Sequence, residues 1–213
     1  MNNSNPYIKI IAVILIAAAV LFIFGNKGGK DDVSVAGLPD PVQTAATGGT
    51  EFEAGDYSIK VTYKYAYELD ALAISTKDYF GSAMNDLIAP VDVAFAWGKV
   101  AEYNDRIDFH WRQSGRWYYW SVDGGEDLSP VGGVDGINQH SANCHLIPAD
   151  DTVRKTVKSI KTGDHVKLSG YLIDLKGEKA DGSYRTWNSS VSRNDTGDGA
   201  CEVIYVTKIS IVK

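Results

Sequence analysis

The sequence predicts a mainly β chain of the α+β class: an N-terminal transmembrane helix, then an antiparallel small β-barrel domain with one or two short helices. Three observations carry that expectation. Ile10–Phe24 is apolar without a break. Beyond residue 55, several runs alternate apolar and polar residues with period two, the pattern of half-buried strands. Lys161–Leu172 places a Gly163-Asp164 turn ahead of an alternating strand interrupted by Gly170. A glycine inside a strand permits the bulge or tight coil that a small closed barrel needs.

Residues 1–6 form a short tail, and residues 7–25 read as the membrane helix. Tyr7–Phe24 is eighteen residues with Lys9 as its only charge. At a rise of ~1.5 Å per residue it reaches roughly 27 Å, close to a hydrocarbon core of about 30 Å. A cleaved signal peptide is the competing reading. Against it, the run ends in Leu21-Phe22-Ile23-Phe24 with no small-x-small site behind it. Lys9 on one side nearly balances Lys27 and Lys30 on the other, so the positive-inside rule decides little. A short tail before one apolar segment fits a signal anchor. The expectation is a single-pass cell-membrane protein whose C-terminal domain lies outside the cytoplasm. Residues 26–55, with Gly28-Gly29, Pro39, Pro41 and Gly48-Gly49, read as a flexible linker. Residues 56–213 read as the soluble β-rich domain.

Within that domain Ser58–Leu69 alternates Ile59, Val61, Tyr63, Tyr65, Tyr67 and Leu69 against polar neighbours, a long strand, with Ala71–Thr76 as a second. Pro90 then opens Val91–Val100, whose Val91, Ala94, Phe95 and Trp97 match helical spacing. Ile107–Trp111 and Trp117–Trp120 flank a Ser114-Gly115 turn and read as a hairpin. The Gly-rich stretch 121–139 reads as a loop. Cys144–Pro148 is extended. Asp150 or Asp151 caps a helix with Val153, Val157 and Ile160 on one face. Val166–Leu175 and Ser183–Val191 are paired strands around Asp181-Gly182. A polar loop, 192–199, precedes a final strand, Glu202–Val212.

Composition narrows the function. Apolar residues make up 44% and charged residues 23% of 213, which excludes a collagen-like or wholly disordered chain. The net charge is −6, and residues 51–139 hold 15 acidic against 7 basic side chains. Nucleic-acid binding draws on a basic field that releases counterions, so it is disfavoured.

Two cysteines, Cys144 and Cys201, are too few for a disulfide scaffold but fit one bridge in an oxidising compartment. Buried thiols and a Cys/His zinc site with His140 and His145 are the alternatives. Adjacent Cys144 and His145 on a strand point to opposite faces, which opposes joint ligation and equally a nucleophile–base pair. Asn194, Thr196, Asp198 and Gly199 match the opening of a calcium loop, but its twelfth position is Tyr205 instead of Glu, so a plain Asx-rich turn is favoured. No metal or cofactor is expected. Phe109, Trp111, Trp117, Tyr118, Tyr119 and Trp120, with Arg112 and Arg116, promise an aromatic–arginine surface unless another element covers it.

The run Lys161-x-Gly163-Asp164-x-Val166-x-Leu168-x-Gly170-Tyr171-Leu172 resembles a strand of an OB-type barrel, a fold that hosts many functions. Pro90–Gly98, Ser114–Trp120, Asn143–Ala149 and Trp187–Glu202 together resemble a group of uncharacterised single-span bacterial membrane proteins. That resemblance spans most of 57–210 and implies one integrated domain, with no activity attached.

The functional expectation is a membrane-anchored, extracytoplasmic β-rich binding domain. A Cys144–Cys201 bridge would draw two polar loops together and place Asn143, His145, Arg193 and Asp195 on one rim. Such a rim suits an anionic or polar ligand, a protein or glycan partner being the leading kind. The alternatives are a hydrolase with its site near His145, Arg193 and Asp195, and an OB-like nucleic-acid module if the domain is cytoplasmic.

Overall fold

The computed structural model describes residues 33–192 and 200–212. The apolar segment read as a membrane helix, residues 7–25, lies outside them, as do Arg193, Asp195 and the calcium-like loop. Among the described residues no helix is long and apolar enough to cross a membrane.

The described chain is mainly β, with few and short helices. Ten strands follow one another: β1 Val42–Ala45, β2 Gly49–Ala54, β3 Tyr57–Asp78, β4 Val91–Ala96, β5 Arg112–Ser114, β6 Trp117–Tyr119, β7 Ser141–Pro148, β8 His165–Lys179, β9 Tyr184–Asn188 and β10 Glu202–Val212. Four α-helices punctuate them: α1 Met84–Ile88, α2 Gly98–Glu102, α3 Gly133–Gln139 and α4 Asp151–Val157. Eight strands share one sheet, while β5 and β6 form a separate hairpin.

Pairing follows a path that returns to its start. β3 pairs with β4, β4 with β7 and β10 with β8, all antiparallel, while β7 and β10 run parallel. β8 then pairs antiparallel with β3 along most of its length. β1 and β2 add to β3, and β9 adds to β8. The expected barrel strands of 140–213 are thus joined by β3 and β4 in one pairing scheme.

The two strands expected at 58–69 and 71–76 are one. β3 runs for 22 residues. It slips register between Tyr63 and Tyr65 against β8, and between Ala73 and Ser75 against β4. Such slips bend a strand and sharpen its twist. Gly170 answers the expectation raised for it. A Cβ there would sit 2.1 Å from the Tyr205 carbonyl oxygen, and β10 slips register beside it, between Val206 and Lys208. Only glycine lets β8 and β10 approach that closely.

Three sequence expectations are corrected. Residues 91–96 form a strand, not the start of a helix opened by Pro90. All six are buried, with β3 on one side and β7 on the other. A run that is apolar at nearly every position fits either period. The reading of residues 26–55 as linker fails over 42–54. There β1 and β2 hydrogen-bond to β3 as edge strands whose side chains are mostly exposed. The Gly-rich stretch 121–139 is not loop throughout but ends in α3. The helix expected after Asp150 is α4, with the Asp150 carboxylate accepting from the Val153 amide at 2.8 Å.

Alternation gives β4, β7 and β10 two distinct faces. Val91, Val93, Phe95, Cys144, Leu146, Ile204 and Val206 fill the main core from one face. On the other face the register sets Asp92 opposite His145, which itself lies beside Val203 of β10. This outer face is covered by the β5–β6 hairpin. Gln113 of the hairpin donates to Asn143 at 2.7 Å, and the Tyr118 hydroxyl lies 3.2 Å from that of Ser141. Every residue of β7 up to Ile147 is therefore buried, polar ones included.

Candidate functional site

The site grows from a costly feature of β4. Asp92 is a carboxylate inside the run Pro90-Val91-Asp92-Val93-Ala94-Phe95, and it is fully buried. A buried charge is tolerated only when paired and hydrogen-bonded. The partner comes from the hairpin turn: Arg116 donates Nη1–H to Asp92 Oδ1 at 2.7 Å. Its Nη2 donates to Asp86 of α1 at 2.7 Å and to the Ala89 carbonyl at 3.1 Å. One guanidinium thus ties the hairpin turn to the α1–β4 segment at three points. Its side chain is only 17% exposed. Its flat face lies 3.8 Å from the centre of the Tyr79 ring and 5.2 Å from that of Trp187, so stacking holds it as well. Burial and the neighbouring Asp92 charge hold the Tyr79 phenol well above the ordinary tyrosine range, and its hydroxyl donates to the Gly115 carbonyl.

His145 of β7 completes the group. Nδ1 lies 2.8 Å from Asp92 Oδ1, an ion-pair distance without the alignment of a hydrogen bond. The imidazole packs against Trp187 of β9, ring centres 4.6 Å apart. Above this floor opens a cavity of about 370 Å³, lined by His145, Arg116, Trp117, Trp187, Cys201 and the polar side chains of Asn85, Thr186 and Asn188. Its walls come from α1, the β5–β6 hairpin, β7, β9 and the residue before β10. Its size falls in the range of about 300–1,000 Å³ usual for small-ligand sites.

The disulfide expectation is overturned: Cys144 and Cys201 are not bonded to each other. The reason is register. Glu202 is the partner of Cys144 in the parallel β7–β10 pair, so Cys201 falls one residue off and faces the opposite side of the sheet. Cys144 points into the main core, with Sγ 3.9 Å from the Glu202 carboxylate. Cys201 Sγ lies 3.7 Å from Asn143 Nδ2 and 4.0 Å from the Arg116 carbonyl oxygen, on the cavity side. The zinc alternative fails for the same reason, and among the described residues no group of three or more His, Cys, Asp or Glu is placed to hold a metal.

Of the sequence-derived candidates, His145 lines the cavity. Asn143 sits behind it, 1% exposed, with its carbonyl oxygen accepting from Gln113 and its amide donating to the Arg116 carbonyl at 3.1 Å. Its amide fastens the hairpin to β7. Arg193 and Asp195 lie outside the described residues. Asp86, Asp92 and Trp187 were missed. Asp92 carried a legible signal, a lone carboxylate in an apolar run, whereas nothing local marks Asp86 or Trp187.

The aromatic hairpin divides as its alternation requires. Phe109 is buried, Trp111, Tyr118 and Trp120 pack against the main core, and Trp117 and Tyr119 are exposed at 36% and 41%. Trp111 and Trp120 donate their indole N–H to Asn104 and Asn138. Burial pushes the Tyr118 phenol up to about 12, against the hydrogen bond to Ser141.

Comparison with protein-family models, with curated proteins and with solved structures returned no match.

Proposed function

We propose that the chain is a membrane-anchored binding domain whose returning strand path is a small OB-like barrel. The observation that carries the reading is the cavity above Asp92, His145 and Arg116. Four features support the OB-like description: a long bent β3 shared by two neighbours, the lone parallel pair β7–β10 within the ring, α4 between β7 and β8, and a ring of five strands. In OB-type barrels ligands meet the face of the second and third strands and the loops beside it. In ring order those strands are β4 and β7, which carry Asp92 and His145. The floor is a preorganised charge cluster of Asp92, Arg116 and His145, and the walls are aromatic and amide groups. That is the make-up of a recognition site.

The anchor rests on the apolar run Ile10–Phe24, and the extracytoplasmic placement is proposed with it. A C-terminal alkaline phosphatase fusion tests them: activity is expected, and an inactive fusion made at full length overturns the placement.

A second reading, a thiol hydrolase, is favoured by one observation. The imidazole of His145 and the thiol of Cys201 line the same cavity, with the Asp92 carboxylate buried behind the imidazole, 2.8 Å from Nδ1. Nucleophile, base and orienting group are the parts such chemistry needs. The rate of Cys201 alkylation against pH tests it. An activated thiol keeps its reactivity down to pH 6, whereas an ordinary one, with a pKa of about 8.5, loses roughly tenfold per pH unit below that.

A further inference from the structure

We infer that the cavity takes an uncharged ring bearing hydroxyl or amide groups, the end of a neutral glycan, and not an anion; this rests on the cavity being the binding site and adds its ligand class. The first ground is charge. Among the described residues lining the cavity, Arg116 is the only fixed cation. Both of its terminal nitrogens are engaged by carboxylates, Asp92 and Asp86, at 2.7 Å each. One guanidinium between two carboxylates offers a ligand no net positive charge. A phosphate or carboxylate would have to compete with both carboxylates, and displacing Asp92, which is fully buried, would leave a charge unpaired at high cost. Residues 51–139, which supply Asn85, Arg116 and Trp117 to the cavity, hold 15 acidic and 7 basic side chains and so repel polyanions at longer range.

The second ground is what the walls offer. Trp117 stands exposed at the mouth. Trp187 is held in place by the His145 ring and the Arg116 guanidinium. An indole face carries negative charge density and attracts the C–H face of a sugar ring. Asn85, Thr186 and Asn188 surround the indoles. A carboxamide presents donors and an acceptor side by side, and a hydroxyl is both at once. That matches sugar hydroxyls and acetamido groups, which also donate and accept.

Calorimetric titration of the full chain in detergent, at about 0.15 M salt, compares three probes: chitotriose, cellotriose and a single-stranded thymidine oligonucleotide. It is repeated with Asn188→Ala and Thr186→Val, both at exposed positions that leave the core intact, and with Lys167→Ala as a control on another face. The expected result is binding of at least one saccharide, weakened about tenfold or more by Asn188→Ala or Thr186→Val and unchanged by Lys167→Ala, with no binding of the oligonucleotide. Failure of both saccharides overturns the inference. Oligonucleotide binding that Asn188→Ala abolishes overturns the ligand class and leaves the cavity as the binding site. Saccharide binding unaffected by either cavity substitution overturns the cavity itself.

Discussion

Among the described residues an aspartate, a histidine and a cation come together twice, with opposite consequences. On β3 and β8, Asp70 meets His165 at 2.5 Å and Lys167 at 2.9 Å. On β4 and β7, Asp92 meets His145 at 2.8 Å and the hairpin's Arg116 at 2.7 Å. Composition is nearly the same; burial is not. The Asp70 and His165 side chains are 24% and 22% exposed and that of Lys167 is 55% exposed, whereas Asp92 is fully buried and His145 is 4% exposed. The first trio lies on adjacent strands, with Asp70 and Lys167 in direct register, and water screens it. The second draws its cation from a distant connection and has a cavity above it. What separates a solvated ion pair from a candidate site is the covering hairpin.

The sharpest contrast is between the two cations. Arg116→Ala leaves Asp92 buried without its partner and is expected to lower unfolding stability by about 3–5 kcal/mol in denaturant titration. Lys167→Ala is expected to cost less than about 1 kcal/mol, because its partners are partly hydrated. Equal losses would erase the distinction. An intermediate effect is expected at the fastening between hairpin and β7. Gln113→Ala strands the buried Asn143 carbonyl oxygen, so a loss of about 1–3 kcal/mol is expected in the same titration.

The smallest effect belongs to the exposed trio's pH dependence. Burial raises the Asp70 carboxyl, but hydrogen bonds from His165 and Lys167 outweigh it and hold it below its ordinary value of 3.8. A carboxyl depressed in the folded state adds stability that is fully present above the ordinary value. That stability is lost as pH falls through the lower, folded value. Acid titration of Asp70→Asn should therefore be flatter than wild type below pH ~4 by under about 1 kcal/mol, solvent screening included. A steeper curve for the variant would contradict the assignment.

The same contrast explains what was legible in the sequence. Where one face is wet and the other dry, alternation shows: β10 was read as Glu202–Val212, and α4 with its Asp150 cap was found from the spacing of Val153 and Val157. Gly170 announced a bulge or tight coil because a central strand has little other use for a glycine, and the register slip of β10 lies beside it. Where both faces are covered, the period vanishes, so β4 passed for a helix. Where neither face is dry, as in β1, backbone pairing alone makes the strand and the sequence resembles a linker. The cysteine pairing could not be read, because it depends on a one-residue offset between parallel strands far apart in sequence. The cavity was half legible: His145 and Arg116 stood in conspicuous motifs, while Trp187 joins them only through the pairing of β8 with β9.

The most direct test of the cavity as a binding site uses the five tryptophans as reporters. In the full chain with 15N-labelled tryptophan, indole resonances are followed as chitotriose or cellotriose is added. Trp97 is buried in the main core, and Trp111 and Trp120 already donate their indole N–H to asparagines. Only Trp117 and Trp187 line the cavity. The expected result is saturable shifts of those two resonances with the other three unmoved. Shifts at Trp111 or Trp120 alone, or no shift at any of the five with either saccharide, would contradict it.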